Sequence, residues 1–257
     1  MGYWQPTDIM ALEAKQNPII DLKGITHAYN GRTVLHELNL AVERGEIFGF
    51  LGHNGAGKTT TISILTTLLR QTAGAARIAG FDTVAEANEV RRRIGYLPEN
   101  VTFYDDLTAY ENLAYFGKLS GVHDVGVRIK EVLGFLDFRG VEHRKLRTFS
   151  KGMRQRIGLA QAILHEPEVL FLDEPTTGLD PVGIKNLRDI ILRLNQEKRI
   201  TIFMNTHLLS EVAKTCTSIG VLNRGRLIYH ESLAKTLADF PDESTLETIY
   251  VQMEETA

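Results

Sequence analysis

The stretch Gly52-His53-Asn54-Gly55-Ala56-Gly57-Lys58-Thr59-Thr60 constrains this chain more than any other feature. It fits the pattern G-x-x-x-x-G-K-[ST], in which glycines let successive backbone N–H groups approach an anion without a Cβ in the way. An apolar run, Ile47-Phe48-Gly49-Phe50-Leu51, leads into it, and a helix-like pattern from Gly57 to about Arg70 leads out. Strand, glycine turn and helix in that order place the positive end of a helix at the turn, an arrangement suited to phosphate oxygens. In this reading the Lys58 ammonium bridges β- and γ-phosphates and the Thr59 hydroxyl ligates Mg²⁺. The competing reading is a glycine-rich turn with a surface lysine; the strand before it and the helix after it argue against that.

A second constellation lies downstream. Val169-Leu170-Phe171-Leu172 is a continuous apolar run, as expected of a strand covered on both faces, and it ends in Asp173-Glu174-Pro175. Two acids at the end of such a strand are costly unless they serve a ligand. In open parallel sheets ligands sit at the carboxyl ends of the strands. Asp173 then supports Mg²⁺ through its water shell, and Glu174 polarises or deprotonates a water that attacks a γ-phosphate. Solvated loop acids are the bland alternative.

The rest of the chain sets the frame. Strand-like runs at Ile19–Leu22, Ile25–Tyr29, Leu38–Val42 and Glu46–Leu51 open it, with Asn30-Gly31 as a hairpin turn. The middle third, from Thr108 to Leu164, reads as mostly helical, broken at Gly121, Gly140 and Thr148–Gly152. Strands and helices then alternate: Glu168–Asp173, Pro181–Asn195, Ile200–Met204, Leu208–Lys214, and a hairpin of Ser218–Leu222 with Arg226–Tyr229. A last short helix is expected at Ser244–Glu255. The pattern predicts an α/β fold: a parallel sheet with an antiparallel start and a helical insert. Residues 1–18 read as an N-terminal extension, with Met10 as an alternative start.

Composition narrows the function classes. The 257 residues carry a formal net charge of −3, too nearly balanced for an obvious nucleic-acid binder. The single cysteine, Cys216, excludes an internal disulfide and reads as a buried small hydrophobe. No apolar run approaches the ~20 residues a membrane crossing needs, so a membrane role is expected to come through a partner. His123, His143 and His165 lack metal-ligand spacing, and Arg91-Arg92-Arg93 reads as a solvated helix face, with acidic lipid heads as the weaker alternative.

Between the two acidic and glycine-rich motifs lies Thr148-Phe149-Ser150-Lys151-Gly152-Met153-Arg154-Gln155-Arg156. It resembles the LSGGQ signature of the ATP-binding-cassette (ABC) ATPases. Gly178-Leu179-Asp180-Pro181 resembles that family's D-loop, Asn205-Thr206-His207 its switch histidine, and Tyr29, 29 residues before Lys58, the aromatic that stacks on adenine. The resemblance runs from about Ile19 to Tyr250. It implies a P-loop NTPase with a RecA-like core, an antiparallel β subdomain and an inserted α-helical subdomain at about 99–163, in one nucleotide-binding domain spanning 19–257 with a helical tail from about 231.

The family resemblance also implies the chemistry. ATP and Mg²⁺ are the expected ligands. Tyr29, Gly52, Asn54, Gly55, Gly57, Lys58, Thr59 and Thr60 would bind nucleotide from one subunit, with Ser150, Gly152 and Asp180 serving the nucleotide of a second. Thr59, Glu99 and Asp173 would hold the metal; Glu174 and His207 would be catalytic. The implied partners are a second cassette, as a homodimer, and a transmembrane permease, which would hold this subunit on the inner face of the cell membrane. Ser150 independently reads as an N-cap for the following helix, and hairpin packing is the alternative reading of Tyr29. Lys151, Met153 and Glu99 depart from the commonest pattern and resemble an export-associated branch. Phe103, Tyr104, Leu107 and Tyr110 form either a groove for a partner's helix or the insert's own core. The alternatives are a non-transport ABC ATPase of translation or DNA repair, or a small-molecule kinase that would leave Ser150–Arg156 and His207 unexplained.

Overall fold

The computed structural model describes residues 18–239 and 250–251. The extension at 1–17 and nearly all of the helix expected at Ser244–Glu255 lie outside the described residues.

Asn30 and Gly31, both at positive φ, turn β1 (Ile20–Tyr29) into β2 (Arg32–Val42) as the hairpin signal predicts. After β3 (Ile47–Leu51) and α1 (Lys58–Leu65), the strands β4 (Ala73–Ile78) and β5 (Phe81–Asp82) complete an antiparallel sheet of order β2-β1-β4-β5. The helix α2 (Ala87–Arg93) leads into β6 (Ile94–Leu97). The helical insert follows as α3 (Ala109–Leu119), α4 (Val125–Phe135), a 3₁₀ turn at Leu146–Thr148, and α5 (Lys151–Ile163). The chain closes with β7 (Val169–Asp173), α6 (Pro181–Lys198), β8 (Thr201–Asn205), α7 (Leu209–Thr215), β9 (Ser218–Asn223), β10 (Arg226–Ser232) and α8 (Leu233–Asp239). Its six-stranded sheet has the order β10-β9-β3-β8-β7-β6, parallel except for β10 at the edge.

The parallel strands are buried on both faces, which is why their sequences read as unbroken apolar runs. Alternate residues sort into two cores. Phe48, Phe50, Phe171 and Phe203 face the antiparallel sheet and α1, with ring centroids 5.2–6.2 Å apart. Ile47, Leu51, Leu170, Leu172, Ile202 and Met204 face the helical insert and α6. The strand ends between these two layers are where polar groups emerge.

One expectation needs correction. The helix after the glycine turn stops at Leu65 rather than near Arg70. The Thr66 hydroxyl donates back to the Ile62 carbonyl at 2.8 Å, Thr67 takes φ 62°, and the N–H groups of Leu68 and Leu69 both donate to Ser63 O. Leu68, inside the span expected to be helical, is 68% exposed. β10 runs to Ser232, and α8 follows it directly. The strand β4 escaped sequence reading because Ala73-Gly74-Ala75-Ala76 has low β-propensity. It is a strand because it pairs with β1, and Gly74 lets the backbones meet: a Cβ there would stand 2.3 Å from Gly24 O.

The insert follows its sequence more closely. Thr108 and Glu111 form a reciprocal capping box at the start of α3, and Gly121 and Gly140 both sit at positive φ between helices. The helix α5 lies so close to β6 that a Cβ on Gly95 would meet the Ala162 carbonyl oxygen at 2.2 Å. Gly95→Ala therefore forces backbone apart, and we expect it to lower unfolding free energy by about 1–3 kcal/mol in urea titration. An unchanged midpoint would show that α5 can slide away at no cost.

Candidate nucleotide site

Gly57 is the N-cap of α1 with φ 112°, and a Cβ there would lie 2.7 Å from a Leu35 methyl of β2. Gly52 has φ 153°, and a Cβ there would lie 2.4 Å from Leu222 O of β9. Glycine at both positions lets the turn nestle between the hairpin of the antiparallel sheet and the end of the parallel one. The turn is braced again at Gly225, whose N–H donates to Ala56 O and whose carbonyl accepts from His36 N, both at 2.9 Å. The Lys58 side chain is buried at 6% exposure, with its ammonium donating to Gly52 O at 2.5 Å and His53 O at 3.1 Å. The first turn of α1 carries no acid of its own, which leaves its positive end facing the cleft.

Across from the turn, Asp173 ends β7 at 5% exposure. Its Oδ1 accepts from Asn205 Nδ2 at 2.6 Å, the residue paired with it on β8. Burial chiefly, then the neighbouring Glu174 and Glu99 carboxylates, push its pKa above the ordinary 3.8, while Asn205 and Lys58 pull it down. Glu174 follows in the left-handed region at φ 47°, a strained conformation for a glutamate, with its N–H bonded to Asn205 O at 2.9 Å. Its Oε2 accepts from His207 Nδ1 at 2.7 Å.

Leu51, Gly52, His53, Asn54, Glu99, Glu174 and His207 thus line one open cleft of about 610 Å³. Thr59 is exposed and Thr60 half-buried at the start of α1, and Gly55 sits in the turn at φ 84°. Tyr29, at the tip of the β1–β2 hairpin, is 46% exposed. Ser150, Gly152 and Asp180 line a separate cavity of about 300 Å³ that shares no residue with the first. Ser150 caps α5, its Oγ accepting from Met153 N at 3.3 Å. Asp180 caps α6, its Oδ1 accepting from Gly183 N at 2.8 Å.

The metal expectation can be tested against the donors present. Glu99 and Asp173 offer carboxylates and Thr59 a hydroxyl, all hard oxygen ligands. Among the described residues no group of three or more His, Cys, Asp and Glu could hold a metal ion unaided. Two carboxylates and a hydroxyl leave several positions to water and substrate phosphate, which is how Mg²⁺ is usually held. The residues fit.

Two residues quoted within the motifs received no role from sequence. Asn205 ties Asp173 to β8, and its Oδ1 is buried without a hydrogen-bond partner; the signal was a polar residue ending the apolar run Thr201-Ile202-Phe203-Met204. Gln155 is buried on α5 and donates to Pro175 O at 3.2 Å, joining the signature helix to the turn after Glu174. No local pattern marks it.

A carboxyl whose pKa rises on folding costs stability once ionised. That cost is absent well below pH 3.8 and complete above the folded value. Asp173→Asn should therefore raise the thermal midpoint at pH 7 by ~2 °C or more, and the gain should shrink on acidification through pH 4. A midpoint that falls at pH 7 would contradict this.

Comparison with known proteins agrees with this geometry. The family described as ABC transporter matches residues 35–177. The bacitracin transport ATP-binding protein BcrA of Bacillus licheniformis is 43% identical over 210 residues, covering 82% of this chain and 68% of that one. A solved ATP-binding subunit of an ABC transporter superposes with a TM-score of 0.82 at 29% identity, covering 91% of this chain and 99% of that one. The dimeric bacterial ABC transporter cassette MJ0796 superposes with a TM-score of 0.75 at 26% identity, covering 83% and 98%. The chain belongs to the ABC transporter family, as a cassette that binds and hydrolyses ATP.

Proposed function

We propose that two copies of this chain close on two ATP molecules and so drive a separate transmembrane permease, in the export direction. The observation that carries this is the division of the site. The glycine turn, Glu174 and His207 share one cleft, while Ser150 and Gly152 open into another. A nucleotide in the first cleft lacks the capped helix unless a second copy supplies it. The dimeric form of the MJ0796 cassette supports such pairing. The relative named for bacitracin transport, with Lys151, Met153 and Glu99 in this chain, supports the export branch. Among the described residues no helix is long and apolar enough to cross a membrane, so the permease would be a partner, met on the inner face of the membrane. Phe103 packs in the insert's core, but Tyr104 is 52% exposed and Leu107 and Tyr110 each 36%, and these three would face the permease.

The residues divide the chemistry. The turn's N–H groups and the start of α1 bind the phosphates, and Lys58 exchanges its carbonyl contacts for β- and γ-phosphate oxygens. Thr59, Glu99 and Asp173 would hold Mg²⁺, which when bound neutralises phosphate charge and offsets the repulsion among the carboxylates. His207 occupies Oε2 of Glu174, leaving Oε1 free to accept the proton of the attacking water. The water oxygen joins the γ-phosphorus, the bond to the bridging oxygen breaks, and ADP and inorganic phosphate leave. Ser150 and Gly152 of the second copy, at the positive end of α5, bind the γ-phosphate.

Glu174→Gln removes the proton acceptor but keeps the shape. Hydrolysis should fall by about 100-fold or more, while ATP binding persists and a dimer accumulates on gel filtration with Mg-ATP. Hydrolysis near the native rate would remove Glu174 as the base.

A further inference from the structure

His27 lies two residues before Tyr29 on the same face of β1, at 6% exposure. The two ring centroids are 4.6 Å apart with planes at 81°, so one ring sets its edge against the other's face. Thr72 fixes this corner of the hairpin. Its Oγ1 accepts from Ala28 N at 3.2 Å and lies 3.5 Å from His27 Nδ1, while its own N–H donates to Thr26 O at 2.9 Å. The other ring nitrogen, Nε2, is buried without a hydrogen-bond partner. The contact that the geometry offers Tyr29 is therefore the face and edge of the His27 ring. Across the hairpin His27 pairs with Leu35, the residue whose methyl stands against Gly57 of the glycine turn. The exposed tyrosine, the buried histidine and the phosphate-binding turn are therefore one connected block.

We propose that His27 is a positioning residue for the nucleobase: its ring, secured by Thr72, holds Tyr29 in one orientation so that adenine meets a preformed platform. This rests on the reading of Tyr29 as the base-stacking residue. His27 meets Tyr29 directly and reaches the phosphate-binding turn only through Leu35, so its main effect falls on the base. Its loss should weaken ATP but leave a base-free triphosphate unaffected.

The test is calorimetric titration of the full chain with Mg-ATP and, separately, with magnesium tripolyphosphate. His27→Ala should raise the Kd for ATP roughly three- to tenfold and leave tripolyphosphate unchanged. His27→Phe, which restores a ring, should recover ATP affinity to within about twofold. Tyr29→Ala should show the ATP loss, and adding His27→Ala to it should bring no further loss, because the histidine acts through the tyrosine. If Tyr29→Ala weakens ATP and His27→Ala does not, the role of His27 is wrong and the base-stacking reading survives. If Tyr29→Ala changes nothing, both fall. Equal loss of tripolyphosphate affinity in His27→Ala would reveal general damage to the site and overturn the proposal.

Discussion

At the carboxyl end of the parallel sheet the chain gathers more negative charge than it can neutralise. Asp173 is buried, Glu174 and Glu99 raise its pKa further, and the nearby ammonium of Lys58 only partly offsets them. Strands covered on both faces leave no other exit for polar groups, so the acids and the glycine turn emerge side by side. The resulting strain is local: an unfavourable carboxylate, a glutamate at positive φ, and an asparagine oxygen without a partner. A bound cation would relieve the electrostatic part of that strain. A site of this kind is expected to cost stability when empty and to gain it when its ligand binds.

The same end of the sheet couples to the second cavity through few contacts. Gln155 reaches from α5 to Pro175, beside Glu174, so the signature helix and the proposed base share one hydrogen-bonded turn. Asp180, five residues beyond Pro175, caps α6 and fixes where that helix begins. Closure of a second copy onto Ser150 would thus be felt at Glu174 through a path of two residues. A single copy holds the glycine turn and Ser150 in different clefts, so in the proposed function association is the step that completes the chemistry.

Much of this was legible in sequence, and the reasons are physical. The glycine turn, the acids after β7 and the cap at Ser150 each rest on a backbone requirement that only certain residues meet. The insert was readable because glycines break its helices and side chains cap the first and last of them. What stayed hidden depends on pairing. β4 is a strand through its neighbours and not its composition, and Gln155 matters through a contact 20 residues away. The end of α1 was misplaced because apolar residues continue past Leu65, while the stop comes from a threonine hydroxyl bonding back to Ile62. His27 was overlooked for the same reason: its meaning lies in Thr72, 45 residues on.

The central claim is that neither copy owns a complete catalytic site, and a mixing measurement addresses it most directly. Lys58→Ala leaves the signature helix intact; Ser150→Arg leaves the glycine turn intact. Each variant alone should release almost no phosphate from ATP. Mixed in equal amounts they form dimers with one whole site, made of the turn from one and the helix from the other, and phosphate release should reappear. Native-rate hydrolysis by the Ser150→Arg chain alone would mean that a single copy suffices, and would contradict the account.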